Sequence, residues 1–223
     1  DPAARPLWLR RQVATWPVRL TDEDGRRAEM YAAERAANAL KAQSVSLADY
    51  LRGLEQRLVI EPVRRETIPR VAQMHQRTNQ FDLTTVRLTE AELGAMVADT
   101  AQHLALLGRV TDRFGDHGIV IAATARIMGE AADILTLLMS CRVIGREVER
   151  AFLGALLLEL ERRGVQTVTG IYKPTAKNDQ VREFYPSSGF EQAFADADQT
   201  VWRWTVGDGE PPRSDFVTVQ WGK

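Results

Sequence analysis

The sequence predicts an α+β protein, with a mixed central sheet flanked by helices and a helical extension ahead of it. Apolar runs at 107–113, 119–127 and 133–139 are separated by the short turns Gly115-Asp116-His117-Gly118 and Met128-Gly129-Glu130. Strand-length runs joined by such turns describe an antiparallel meander. A helical period replaces the strand period from Glu147 to Arg163 and stops at Gly164, the residue type that ends helices most readily. Beyond it, further strands at 165–172, 190–194 and 200–206 enclose a short helix at 178–187. Helices and strands in this order favour helices stacked on one sheet.

Ahead of the meander the chain is more polar. Residues 1–60 read as a helical extension or linker, with a helix entry at Leu20–Asp24, a long Ala/Arg/Glu segment from Arg26 to Ala42, and apolar residues spaced by three and four from Leu47 to Leu54. Asp22-x-Asp24 invites comparison with the aspartyl motif of haloacid-dehalogenase-type phosphatases. That motif needs a buried strand before it, and Pro17, Arg19 and Thr21 favour a helix cap instead. From Val59 the texture changes. Thr67–Met74 suggests a helix with proline in its first turn, and Thr89-Glu90-Ala91-Glu92 opens another, with threonine as cap and acids at the positive end of the dipole. The expected organisation is therefore an extension at 1–60, one domain at 61–206, and a Gly/Pro-rich C-terminal tail at 207–223.

Composition narrows the function classes. The 223 residues carry 29 basic and 30 acidic side chains, a net charge of −1, which argues against a nucleic-acid binder. One cysteine excludes an internal disulfide, and His75, His103 and His117 have no metal-ligand spacing, so no metal site is expected. No apolar run reaches the roughly 18 residues that a membrane span needs. Asp1-Pro2 with early arginines is not a signal peptide, and there is no initiator methionine. A cytoplasmic chain cut from a longer protein, with no membrane or nucleic-acid partner, is the expectation.

Chemistry concentrates at the end of the meander, in Met139-Ser140-Cys141-Arg142-Val143-Ile144-Gly145-Arg146. Together with Asn178…Phe184-Tyr185…Gly189-Phe190, this strand–loop–helix resembles the GNAT acyltransferases. The resemblance implies a loop at Arg142, Gly145 and Arg146 whose N–H groups cradle the phosphates of coenzyme A. It also implies a following helix that supports the pantetheine arm and offers Tyr185 as general acid. A narrower resemblance joins Thr78-Asn79-Gln80-Phe81-Asp82-Leu83-Thr84-Thr85, Asp112–Gly118, Met139–Glu149 and Pro174-Thr175-x-Lys177-Asn178. These look like the C-terminal half of FkbH-like proteins, which fuse a haloacid-dehalogenase-type domain to a GNAT-like one. The family moves a glyceryl unit from 1,3-bisphosphoglycerate to the phosphopantetheine thiol of an acyl carrier protein in polyketide-type biosynthesis. The resemblance thus implies an acyl carrier protein and a phosphatase domain as partners, and carrier-bound phosphopantetheine, with acetyl-CoA as the alternative, in place of a resident cofactor. The phosphatase motifs themselves are absent, Asp82 stands where asparagine is expected, and Glu147 puts bulk and charge where a coenzyme A loop has glycine or alanine.

Acyl transfer through the protein needs a nucleophile, a base and an oxyanion site. Cys141 is the candidate nucleophile, and its thiolate would be favoured by a helix N-terminus and arginines nearby. A buried, packed thiol remains the other reading. If the last two meander strands pair around Gly129-Glu130, position 141 faces about 118, which sets His117 beside Cys141 with Asp112 or Asp116 to orient it. Asn79, Gln80, Thr84 and Thr85 suit a polyhydroxy acyl group, or serve backbone in a loop. Arg142 and Arg146 suit a phosphodiester, while Lys173 and Lys177 suit an acidic carrier surface; Asn178 completes the expected binding set.

Overall fold

A computed structural model describes residue 33 and residues 35–222. Asp22-x-Asp24 and most of the extension lie outside the described residues. Helical residues at 35–43 lead into α1 (Leu47–Leu54), where Ser46 accepts the Asp49 N–H as N-cap and Glu55 closes the helix in the left-handed conformation. Strand β1 (Gln56–Pro62) follows, then α2 (Ile68–Arg77), with Pro69 in its first turn, and the two-residue β2 (Phe81–Asp82). In α3 (Glu90–Ala98), Thr89 and Glu92 form a reciprocal capping box. The meander is β3 (His103–Asp112), β4 (Gly115–Met128) and β5 (Ala131–Met139).

After β5 the chain makes a 3-10 turn at Cys141–Val143, and α4 (Val148–Arg162) begins only later. Then come β6 (Thr167–Tyr172), a 3-10 turn at Asp179–Val181, α5 (Phe184–Ser187), β7 (Glu191–Ala195), β8 (Thr200–Thr205) and β9 (Val217–Trp221). The helix expected at 178–187 is thus two short pieces.

The described residues build one sheet in the order β7-β8-β6-β5-β4-β3-β1-β9, with β2 branching onto β5. The meander pairs antiparallel, while β5–β6 and β1–β9 are parallel. Both faces of the centre are covered. Leu104 and Leu106 pack with Phe152, Leu156 and Leu160 of α4 in one core, whereas Ala105 and Leu107 pack with Val71 of α2 and Leu93 of α3 in another. Burial on both faces is why the sequence around β3 shows an apolar run without alternation.

Two expected boundaries are corrected. Strand β1 runs across the 60/61 division, and α1 joins a third cluster through Tyr50, Leu51 and Leu54. The described part of the expected tail, residues 207–222, is packed: β9 forms a sheet edge on β1, and Val217 is buried. A Cβ built on Gly154 of α4 would lie 2.0 Å from the Pro212 carbonyl oxygen, so only glycine lets this segment cross the helix. The Gly/Pro richness that read as a tail belongs to a packed strap.

The feature that shapes the site is a gap in the sheet. Strands β5 and β6 pair only from Ala131↔Thr167 to Ile134↔Gly170, then diverge. Residues 81–83 fill the wedge. Phe81 and Asp82 pair with Met139 and Leu138, the Leu83 N–H donates to the Leu137 carbonyl at 3.3 Å, and the Lys173 N–H donates to the Leu83 carbonyl at 2.8 Å. Backbone groups left open by the divergence are thereby satisfied.

Candidate functional site

Beside this wedge, between the end of α2, the end of β5 and the loop after β6, lies a cavity of about 1020 Å³. Cys141 lines it, and its side chain is exposed rather than packed. Arg70, Arg77, Arg142 and Lys177 also line it, with no carboxylate or imidazole among the described lining residues. Asn79 and Gln80 contribute amides, and Ser140 a hydroxyl that accepts from Arg142 Nε at 3.2 Å. The end of α2 is fastened by Arg87, which donates to the carbonyls of His75 and Thr78 and, at 2.7 Å, to Asn79 Oδ1. That supplies the otherwise unpaired carbonyls of a helix end and holds Asn79 at the cavity.

The structure therefore groups Cys141, Arg142, Lys177, Asn79 and Gln80 as expected, and adds Arg70 and Arg77. These two sit seven residues apart on α2, with Gln73 between them, on the polar side of a helix whose Val71, Ala72 and His75 are buried. In the sequence that spacing was the available signal, and it is also the ordinary pattern of a solvated helix face.

Other expectations are corrected. His117 does not line the cavity. The β4–β5 register runs Thr124↔Thr136 to Ile121↔Met139, and the Ser140 N–H donates to the Val120 carbonyl. Continuing it sets position 141 opposite 119 rather than 118, and a one-residue slip reverses the face. The imidazole instead bonds Asp112 Oδ2 through Nε2 at 2.8 Å. Asp112, not Asp116, is thus the orienting carboxylate; Asp116 is exposed and accepts the Gly118 N–H.

Arg146 is also removed from ligand binding. It is 8% exposed, and its Nη1 donates to Asp112 Oδ2 at 2.9 Å. Burial alone would push the Asp112 carboxyl up, but the bond from His117, the Phe114 N–H and the charges of His117 and Arg146 outweigh it and hold the group below the usual carboxylate range. Gln56 Nε2 donates to the Arg146 carbonyl, so this cluster anchors the loop between Cys141 and α4.

Within that loop Gly145 (φ 75°) and Glu147 (φ 61°) are left-handed, and Gly145 is exposed away from the cavity. Two carboxyls crowd the start of α4. Glu147 accepts the Ser214 hydroxyl at 2.8 Å, and burial, with the Glu147 charge adding, pushes the Glu149 carboxyl above its ordinary value. The helix start expected directly behind Cys141 is only a 3-10 turn, too short to carry an appreciable dipole.

Thr84 donates to the Leu135 carbonyl, and the Thr85 N–H donates to Asp82 Oδ1; neither residue lines the cavity. Asn178 is fully buried. Its Nδ2 donates to the carbonyls of Asp82 (2.8 Å) and Lys173 (3.0 Å), which clamps the wedge segment and leaves no face for a ligand. His103 begins β3 and lies outside the cavity lining.

Tyr185 is 1% exposed and packs on Phe184 and Phe190. A Cβ on Gly170 would lie 2.4 Å from its ring, so the glycine makes its space. Its hydroxyl has no partner among the described residues, and burial drives its pKa far upward. A buried phenol away from the cavity is a packing group, not a general acid. Tyr185→Phe is expected to raise stability by about 1 kcal/mol, the scale of an unsatisfied buried hydroxyl. A urea titration that shows clear destabilisation would contradict this.

No protein-family model and no curated protein sequence matches the chain. Solved structures do. The ribosomal-protein-S18-alanine N-acetyltransferase of Escherichia coli superposes with a TM-score of 0.52 at 17% identity, over 68% of this chain and 96% of that one. The paia N-acetyltransferase of Thermoplasma acidophilum, in complex with coenzyme A, gives 0.55 at 12% identity, over 66% and 98%. The chain has the GNAT acetyltransferase fold. An acetyltransferase from Thermus thermophilus gives 0.51 at 16% identity, over 67% and 97%. No described helix is long and apolar enough to cross a membrane, and no cluster of three metal-ligating side chains occurs among the described residues.

Proposed function

We propose that this chain is an acyltransferase unit that holds a short hydroxyacyl group, a glyceryl unit, as a thioester on Cys141 and passes it to the phosphopantetheine thiol of an acyl carrier protein. The observation that carries this reading is the exposed Cys141 thiol at a cavity whose described lining residues include four cations and no carboxylate. In the loading step the Cys141 thiolate adds to the carbonyl carbon of an acyl phosphate. The carbon–oxygen bond to phosphate then breaks, and phosphate leaves with the electron pair. No carboxylate or imidazole is among the described residues that line the cavity, so the thiol proton goes to water or to the departing phosphate. In the transfer step the pantetheine thiolate attacks the thioester carbon, and the bond to Cys141 breaks to return the thiolate. Any further phosphate on the acyl group is removed by a haloacid-dehalogenase-type partner, since this sequence carries no phosphatase motif.

A second reading, acetyl transfer from coenzyme A by direct attack, is favoured by the fold, because structures with it contain coenzyme A. Against it stands Glu147, the left-handed N-cap of α4, whose side chain puts bulk and charge where a pyrophosphate would approach the helix start. With acyl donor, phosphatase partner and carrier supplied, intact-protein mass spectrometry is expected to show a glyceryl adduct on Cys141 that Cys141→Ala lacks, together with loss of carrier loading. Unimpaired transfer by Cys141→Ala, with tight acetyl-CoA binding, would establish the second reading instead.

A further inference from the structure

We infer that Asp82 is a positioning residue for the cavity: from inside the wedge its carboxylate holds Arg87, and Arg87 turns the Asn79 amide so that its N–H groups face the acyl group. The inference rests on the reading of Cys141 as the acyl station and adds a part to that same site.

The wedge anchors Asp82. Its main chain pairs with Leu138 of β5, and its carbonyl accepts from Asn178. Oδ1 accepts the Thr85 N–H at 2.8 Å. Thr85 is left-handed (φ 58°), a conformation that a β-branched residue keeps only where its surroundings hold it. The other oxygen, Oδ2, has no hydrogen-bond partner among the described residues and lies 3.6 Å from Arg87 Nη1. The side chain has no exposed surface, and a charge buried in this way is costly unless an opposite charge stands beside it. Burial accordingly pushes the carboxyl above its ordinary value, against the pull of the Thr85 N–H and of the Arg87 charge.

Arg87 is the next link. Among the described residues Asp82 is the acid within ion-pair distance of it. Its other partners are neutral oxygens: the carbonyls of His75 and Thr78 and, at 2.7 Å, Asn79 Oδ1. A guanidinium donates and never accepts, so the Asn79 amide must meet it with oxygen. Nδ2 is left over, and Asn79 thereby offers hydrogen-bond donors to the cavity it lines. Donors suit the carbonyl and hydroxyl oxygens of a hydroxyacyl group. Asparagine at position 82 would break the chain of contacts. With its oxygen on the Thr85 N–H, its amide nitrogen would face Arg87, donor against donor.

The rate of Cys141 loading, followed by mass spectrometry, is compared in Asp82→Asn, Asn79→Ala and the double variant, with Arg87→Met as a second break in the same chain of contacts. Each single variant is expected to load about tenfold more slowly, the effect of one lost hydrogen bond. A residue that acts through Asn79 adds nothing once that amide is gone, so the double variant is expected to match Asn79→Ala. Losses that multiply in the double variant would give Asp82 a separate structural role and overturn the inference. Parent-rate loading by Asp82→Asn or Arg87→Met overturns it too. NMR of the full chain decides the matter without the reaction. In Asp82→Asn and Arg87→Met the Asn79 side-chain amide signals are expected to move to those of a free asparagine amide. The Nδ2 protons of Asn178, which clamp the wedge, are expected to keep their slow exchange with solvent. Unmoved Asn79 signals overturn the inference, and so does loss of Asn178 protection in both variants. No adduct in the parent, with the Asn79 signals moving as stated, overturns the acyl station alone.

Discussion

A chain shortened to end at Val206 is expected to lose more than about 4 kcal/mol of stability, or not to fold at all, a loss reserved for disruption of core or network. Two layers of structure go at once. Strand β9 pairs with β1 from Gln56↔Val217 to Ile60↔Trp221, and its removal turns β1 into an open edge prone to pairing with other chains. The strap before it also leaves. Pro212 lies against Gly154, Ser214 donates to Glu147, and Phe216 packs on the cluster around Tyr50 and Leu54. Gly154→Ala probes the same strap with one atom. Its Cβ would meet a backbone carbonyl rather than a flexible side chain, so the strap itself must lift. Soluble yield and urea midpoints of both variants measure the effect; parent-like midpoints would show that 207–222 is dispensable.

Asp112→Asn is expected to cost about 3–5 kcal/mol at neutral pH, the usual penalty for breaking a buried ion pair from one side. The Asp112 side chain has no exposed surface. One oxygen accepts from His117 and Arg146, and the other from the N–H groups of Phe114 and Gly115. An asparagine amide keeps one acceptor and turns a donor toward two donors. The sign of the pH dependence follows from the depressed native pKa of the carboxyl. Its stabilisation is fully present above the unfolded value of about 4 and is lost as pH falls through the native value. Parent stability should therefore drop in acid more steeply than that of Asp112→Asn. Urea denaturation between neutrality and acid measures the two slopes, and equal slopes would remove Asp112 from this role.

Much of the architecture was legible because its signals are local. The Thr89/Glu92 capping box, Pro69 in the first turn of α2 and the left-handed Gly164 are fixed by near neighbours, and the meander by turns between apolar runs. What escaped depends on distant partners. Strand β2 has two residues, too few for any periodicity, and exists because β5 and β6 part around it. Strand β9 follows two prolines, and its pairing partner is Gln56–Ile60 at the other end of the chain. At the site, Cys141, Arg142 and Lys177 were found from motifs, but the His117 partner was placed by a register wrong by one residue. Arg146 looked like a phosphate ligand until Asp112 claimed it, and Arg70 and Arg77 looked like solvated surface.

The clamp on residues 81–83 also bears on the order in which the molecule is made. Asn178 bonds the Asp82 carbonyl across 96 positions of sequence, and Gln56 reaches the Arg146 carbonyl across 90. Closing loops of that length is costly and comes late in folding. The cavity walls come from α2, the end of β5 and the loop after β6, so they meet only when those closures are complete. A chain still emerging from the ribosome with residues up to about 170 would have its meander and α4 but no finished cavity. Cys141 becomes a site only when the chain has been synthesised through Asn178.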